Sequence, residues 1–158
     1  MALVLTDEQR MVKESAEGFF AENAPVSQLR KLRDAADADG FDRGLWAKMA
    51  EMGFAGVAIP EQFGGAGLGM VAAGLIQEAI GRNLSLSPFL SSAVLSATAI
   101  GKGGNADQKA SLLPKIAAGE LIVALAADEK ARHQPASIAT RAEASGNGFR
   151  LTGAKPFV

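Results

Sequence analysis

Apolar residues recur at three- and four-residue intervals through most of the first 120 positions and at every second position in much of the remainder. The first spacing puts side chains on one face of a helix and the second on one face of a strand. Thr6 followed by Gln9 has the form of a capping box, with Val12, Ala16, Phe19 and Phe20 on one face behind it, which predicts a helix over residues 7–22. After Pro25, the residues Leu29, Leu32, Ala35 and Ala36 repeat the helical period until Gly40 offers a stop. Asp42 is placed to cap a third helix with Leu45, Trp46, Met49 and Met52 as its core stripe and Gly53 as its left-handed terminator. A short apolar stretch, 54–60, and a glycine-rich loop, 61–69, lead to a fourth helix over 70–82. Ser87-Pro88 opens a fifth, in which Phe89, Leu90, Val94, Leu95 and Ile100 are apolar nearly all round, as in a helix buried among others. Asn105 and Gln108 cap a sixth, carrying Leu112, Leu113 and Ile116 and ended by Gly119.

The pattern changes after Glu120. Residues 121–125 read as a continuous apolar strand, Ile138, Thr140 and Ala142 keep the spacing of a second, and Gly146-Asn147-Gly148 makes a tight turn into a third with Phe149 and Leu151. Gly153 turns again, and Phe157 falls in a fourth. Three or four short strands without a closing partner make an incomplete sheet. The expectation is therefore a mainly α chain: a six-helix N-terminal bundle, residues 1–120, followed by the first strands of an incomplete, truncated β domain, residues 121–158.

Composition narrows the chemistry. Sixteen basic and seventeen acidic residues give a net charge of −1, and aromatics are only 6%, so neither a polyanion field nor a set of base-stacking platforms is present, and nucleic acid is a poor partner. No cysteine and a single histidine leave no thiolate chemistry and little basis for a metal site. No apolar run approaches the roughly 20 residues of a membrane span, and the first seven residues lack a secretion signal, so the expectation is a cytoplasmic protein without membrane insertion.

Several stretches, taken together, resemble the acyl-CoA dehydrogenases. They are Leu5 to Gln9, Met52-Gly53-Phe54, Ile59 to Gly67 (Ile-Pro-Glu-Gln-Phe-Gly-Gly-Ala-Gly), Gly104 to Lys109, Leu113-Pro114, Gly119-Glu120, and Phe149 to Lys155 (Phe-Arg-Leu-Thr-Gly-Ala-Lys). The resemblance implies an FAD flavoprotein of fatty acid metabolism. In that family an N-terminal helical domain, a middle β domain and a C-terminal helical domain bring an acyl-CoA thioester against the flavin, and a glutamate, usually from the C-terminal domain, removes the α-proton. By resemblance the intact protein would oxidise acyl-CoA to 2-enoyl-CoA, pass electrons to an electron-transfer protein and assemble as a homo- or heterotetramer. Its catalytic base would lie outside this chain, leaving no catalytic residue and no metal ligand here and making the fragment alone inactive. The chain would supply part of the flavin site and one wall of the acyl cavity, with Pro88, Ser91, Ser92 and Leu95 as candidate substrate contacts.

The flavin motif itself is eroded. Counted back from Gly153 without gaps, the family's Thr-Glu-Pro falls on Ala127, Asp128 and Glu129, and its Gly-Ser-Asp on Arg132, His133 and Gln134. Phe157 stands where the family has tryptophan, keeping an aromatic wall and losing the indole N–H. One reading keeps FAD on the backbone amides of Leu125, Ala126 and Ala127, with Arg132 and His133 meeting the pyrophosphate. The other is a non-catalytic partner subunit of the same fold with a degenerate flavin site. Flavin monooxygenases and nitroalkane oxidases resemble the family in the same segments.

Other features read more simply. The glycine run 64–69 fits neither the dinucleotide nor the P-loop spacing and reads as a tight turn packing two helices. Trp46, Met49 and Met52 read as core, and Glu78 and Glu120 as structural carboxylates.

Overall fold

The computed structural model of the chain describes residues 4–156 and divides it into two compact units, residues 1–123 and 124–158. Among the described residues the first unit contains six α-helices: α1 (Asp7–Asn23), α2 (Val26–Asp34), α3 (Arg43–Glu51), α4 (Gly69–Arg82), α5 (Ala97–Gly103) and α6 (Ala106–Ala117). Both capping boxes are built. Thr6 Oγ1 accepts from the Gln9 N–H at 3.2 Å while the Gln9 side chain accepts from the Thr6 N–H, and Asn105 and Gln108 do the same at the start of α6. Asp42 caps α3 through the Leu45 N–H at 3.0 Å, and Gln28 donates to its second oxygen at 2.8 Å. These hydrogen bonds, the Leu45 amide first, hold the Asp42 carboxyl below the usual carboxylate range.

Two apolar clusters hold the unit together. The larger centres on Phe20, Met49, Ile76 and Phe89, all fully buried, with Phe19 edge-on to both Phe20 and Phe54. The smaller is formed by Ile59, Ala97, Leu113, Ile116 and Ala117. Trp46 ties α3 to the end of α6 by donating its indole N–H to the Gly119 carbonyl at 3.0 Å. The glycine run is a packed turn: Ala66, Gly67 and Leu68 donate to the carbonyls of Gly56, Ile59 and Val57. A Cβ on Gly65 would fall 2.0 Å from the Ile59 carbonyl oxygen, so only glycine allows that approach.

Several expectations are corrected. Helix α2 ends at Asp34, well before Gly40, because Ala36 takes the left-handed conformation (φ 48°) and the Asp37 N–H closes back on the Leu32 carbonyl. Met52 is the residue after α3 and is 48% exposed, outside the core stripe. The fifth helix is π-helical over Phe89–Ser96 before it becomes α5, and Leu90 and Leu95 are 50% and 45% exposed, so it is buried on one face only. That face holds Phe89 and Ala93 together with two buried serines, Ser92 and Ser96. Residues 121–125 form no strand; Leu121 and Val123 instead pack against the smaller apolar cluster.

In the second unit the described strands are β1 (Arg141–Ser145) and β2 (Gly148–Thr152), an antiparallel hairpin in which Ser145 faces Gly148 and Arg141 faces Thr152. Gly146, with φ 59°, opens its two-residue turn. Ile138 and Thr140, predicted to lie within the strand, precede it. Every strand residue is exposed, including Phe149 and Leu151 at 74% and 72%. Phe157, and with it the fourth predicted strand, lies outside the described residues.

Candidate functional site

Two serines meet the main chain of Val123, the last residue of the helical unit. Ser92 Oγ accepts from the Val123 N–H at 3.1 Å, and the Ser96 hydroxyl lies 3.0 Å from the Val123 carbonyl and 2.7 Å from the Ser91 carbonyl. Ser92 is fully buried and Ser96 is 3% exposed. Both polar groups of Val123, which has no strand partner, are thus met by side chains. Among the four candidate substrate residues, Pro88 and Ser92 are buried, Ser91 is half-buried with its hydroxyl donating to the Pro88 carbonyl, and Leu95 is exposed. Leu95 and Ser91 therefore remain available for contact. Ser92 has its hydroxyl engaged by backbone.

In the second unit, Leu125, Ala126 and Ala127 are exposed and lie in no helix or strand, and their N–H groups find no hydrogen-bond acceptor among the described residues. The Ala127 carbonyl accepts from Lys155 Nζ at 3.1 Å. That lysine also pairs with Glu129 at 2.8 Å, and the Glu129 carboxylate accepts from the N–H groups of Ala139 (2.6 Å) and Thr140 (3.0 Å) and from the Thr140 hydroxyl. Four donors converge on one carboxylate whose side chain is only 8% exposed. The Lys155 ammonium, then the Thr140 hydroxyl and the two amides, pull its pKa from 4.5 to about 2. Gly153 fits against this cluster, since a Cβ there would lie 2.3 Å from the Thr140 hydroxyl.

Asp128, in the position matched to the motif's glutamate, turns elsewhere. His133 Nδ1 is 3.0 Å from its carboxylate, so the tautomer protonated at Nδ1 donates to Asp128, and this bond lowers the Asp128 pKa. Arg132 is exposed and has no ion pair among the described residues. The segment thus offers three open amides, one unengaged guanidinium and an imidazole held by a carboxylate, a donor set that suits the polar edge and phosphates of a dinucleotide cofactor. It lacks the hydroxyl that a threonine at position 127 would add. Sequence reasoning missed Glu129 and Lys155 as the organising pair. Their opposite charges, one before and one after the hairpin in sequence, were the available signal.

Comparison with known proteins decides the family. The acyl-CoA dehydrogenase N-terminal domain matches residues 6–120. The chain belongs to the acyl-CoA dehydrogenase family. It is 33% identical to the mitochondrial isovaleryl-CoA dehydrogenase of Pongo abelii over 96% of this chain and 36% of that protein. Among solved structures, it superposes on a chain of the ChsE4-ChsE5 complex from Mycobacterium tuberculosis with a TM-score of 0.82 at 27% identity, covering 97% of this chain and 40% of that one. An acyl-CoA dehydrogenase complexed with FAD from Bacillus anthracis gives 0.78 at 27% identity, covering 94% and 26%. The chain therefore spans little more than a third of the length of the curated relative, and its helices and first hairpin are those of the family's N-terminal region. Among the described residues no helix is long and apolar enough to cross a membrane.

Proposed function

We propose that the intact protein is an FAD-dependent acyl-CoA dehydrogenase that converts an acyl-CoA to its 2-enoyl-CoA, with the catalytic base outside this chain. Support comes from the family match and from a relative of the same fold that is complexed with FAD. The single observation that carries the reading for this chain is the run of open amides at Leu125, Ala126 and Ala127. These amides would hold the polar edge of the flavin ring, Arg132 and His133 would meet the pyrophosphate, and Phe157 would supply an aromatic wall. Bound FAD would provide the electron acceptor for oxidation at Cα–Cβ. Leu95 and Ser91 would line the acyl cavity, and Pro88 and Ser92 would shape it from behind. The enzyme would work in the cytoplasm as a homo- or heterotetramer and pass its electrons to an electron-transfer protein.

The decisive experiment is dye-coupled oxidation of a panel of acyl-CoA thioesters by the intact protein after reconstitution with FAD. Turnover of at least one thioester is expected. No turnover, with no flavin uptake, would refute the reading.

A second reading is a partner subunit that completes an assembly without doing chemistry. Ala127, which has no hydroxyl, and His133, which is held by Asp128, favour it, and one structural relative is a complex of two proteins. Co-purification with a second acyl-CoA dehydrogenase subunit that carries the only flavin would establish this reading over the first.

A further inference from the structure

The buried polar face of the π-helical segment has no part in the proposed flavin chemistry. Within the helical unit it meets one residue, Val123, from both sides: Ser92 Oγ takes its N–H at 3.1 Å and the Ser96 hydroxyl approaches its carbonyl at 3.0 Å. We propose that Ser92 and Ser96 are positioning residues for the cofactor segment, fixing through Val123 the course of the backbone that enters residues 125–127. This role rests on the flavin reading.

Three observations carry the assignment. Val123 lies in no strand, so its amide and carbonyl depend on these hydroxyls, and alanine at either position leaves a polar group of the main chain without its partner. The serines are themselves buried, at 0% and 3% exposure, in a face otherwise made of Phe89, Ala93 and Ala97. An apolar residue would fill such positions equally well if packing were their whole purpose. Finally, the local helix is wound as π over Phe89–Ser96, and the Ser96 hydroxyl lies 2.7 Å from the Ser91 carbonyl, five residues back. Ser92 and Ser96 stand four residues apart on one side of the helix, which brings both hydroxyls to the same residue. The Ser96 hydroxyl has one proton for two carbonyls, so it links the helix and the outgoing chain by exchanging between them.

The test uses the intact protein, with Ser92→Ala and Ser96→Ala as probes and Ile76→Val, a truncation of the fully buried Ile76 elsewhere in the same unit, as the control for general loss of stability. Two quantities are read: hydrogen exchange of the backbone amides and the dissociation constant for FAD by fluorescence titration. Each serine variant is expected to speed exchange selectively at the Leu121 and Val123 amides, the hydrogen-bonded ones of this segment. Each is also expected to weaken FAD by about tenfold, as the loss of one buried hydrogen bond implies. Ile76→Val, at comparable thermal stability, leaves both unchanged. Unaltered exchange at the Leu121 and Val123 amides overturns the positioning role whatever FAD does. Equal loss of FAD affinity in Ile76→Val reduces the serines to ordinary stabilisers and overturns it as well. Wild-type protein that takes up no FAD while the exchange effect is present refutes the flavin reading, and with it the cofactor purpose assigned to these serines.

Discussion

Gly119 holds its backbone at φ 73° under the Trp46 indole, and a Cβ added there would lie 2.6 Å from that of Ala50. The Gly-Glu step legible in the sequence is thus a steric requirement at the joint between α3 and α6. Gly119→Ala should lower unfolding stability by about 1–3 kcal/mol, the cost of a non-glycine residue held in that region. A denaturant titration with an unchanged midpoint would contradict this. At Ala127 the family's hydroxyl is missing while the amide is open. Ala127→Thr should therefore tighten FAD by the roughly 0.5–1.5 kcal/mol of one net hydrogen bond, read by titration of the apoprotein. A variant that binds no better than wild type would show that the residue does not face the cofactor.

Individual elements differ in how openly the sequence announces them. The capping boxes of α1 and α6 and the Asp42 cap of α3 involve residues three apart, and all were visible as patterns. Asp42→Ala should cost about 1 kcal/mol and release the Gln28 side chain, a loss measurable as a lower thermal midpoint. The π winding of Phe89–Ser96 was not visible, because the same apolar spacing serves four- and five-residue hydrogen-bond registers. Residues 121–125 looked like a strand because an apolar run suggests burial without stating what provides it; Leu121 and Val123 pack against the helical cluster around Leu113 and Ile116, while Ile122, Ala124 and Leu125 are exposed. The Glu129 and Lys155 pair was hidden for a similar reason, since 26 positions separate the partners and only the hairpin returns them to one place. Its titration gives a test. The folded pKa of Glu129, about 2, lies below its ordinary 4.5, so the stability it contributes is complete above about pH 4.5 and is lost as pH falls through about 2. Acid titration followed at the Ala139 and Thr140 amides should show them held until pH nears 2 in the wild type. In Glu129→Gln they should be weakened at neutral pH, with no further transition in that window. Identical acid profiles would remove the carboxylate from its organising place.

At the scale of the molecule, the helical unit with its two clusters was legible because six periodic segments with clear caps leave few ways to bury their faces. The exposed hairpin shows the opposite case. Phe149 and Leu151 alternate as a half-buried strand should, and both stand exposed in this chain, which spans 36% of a curated relative. An apolar side chain in such a strand records a burial that the sequence promises without saying where it is met. The candidate site has the same character: among the described residues, the open amides of 125–127 and the guanidinium of Arg132 are donors without acceptors. On the proposed reading those acceptors would belong to FAD. The most direct measurement is the visible absorbance of the intact protein, reconstituted with FAD and mixed with acyl-CoA in the absence of oxygen. Flavin bands that stay with the protein through gel filtration and bleach when a cognate thioester is added are the predicted result. A colourless protein after reconstitution, or bound flavin that no acyl-CoA bleaches, would contradict it.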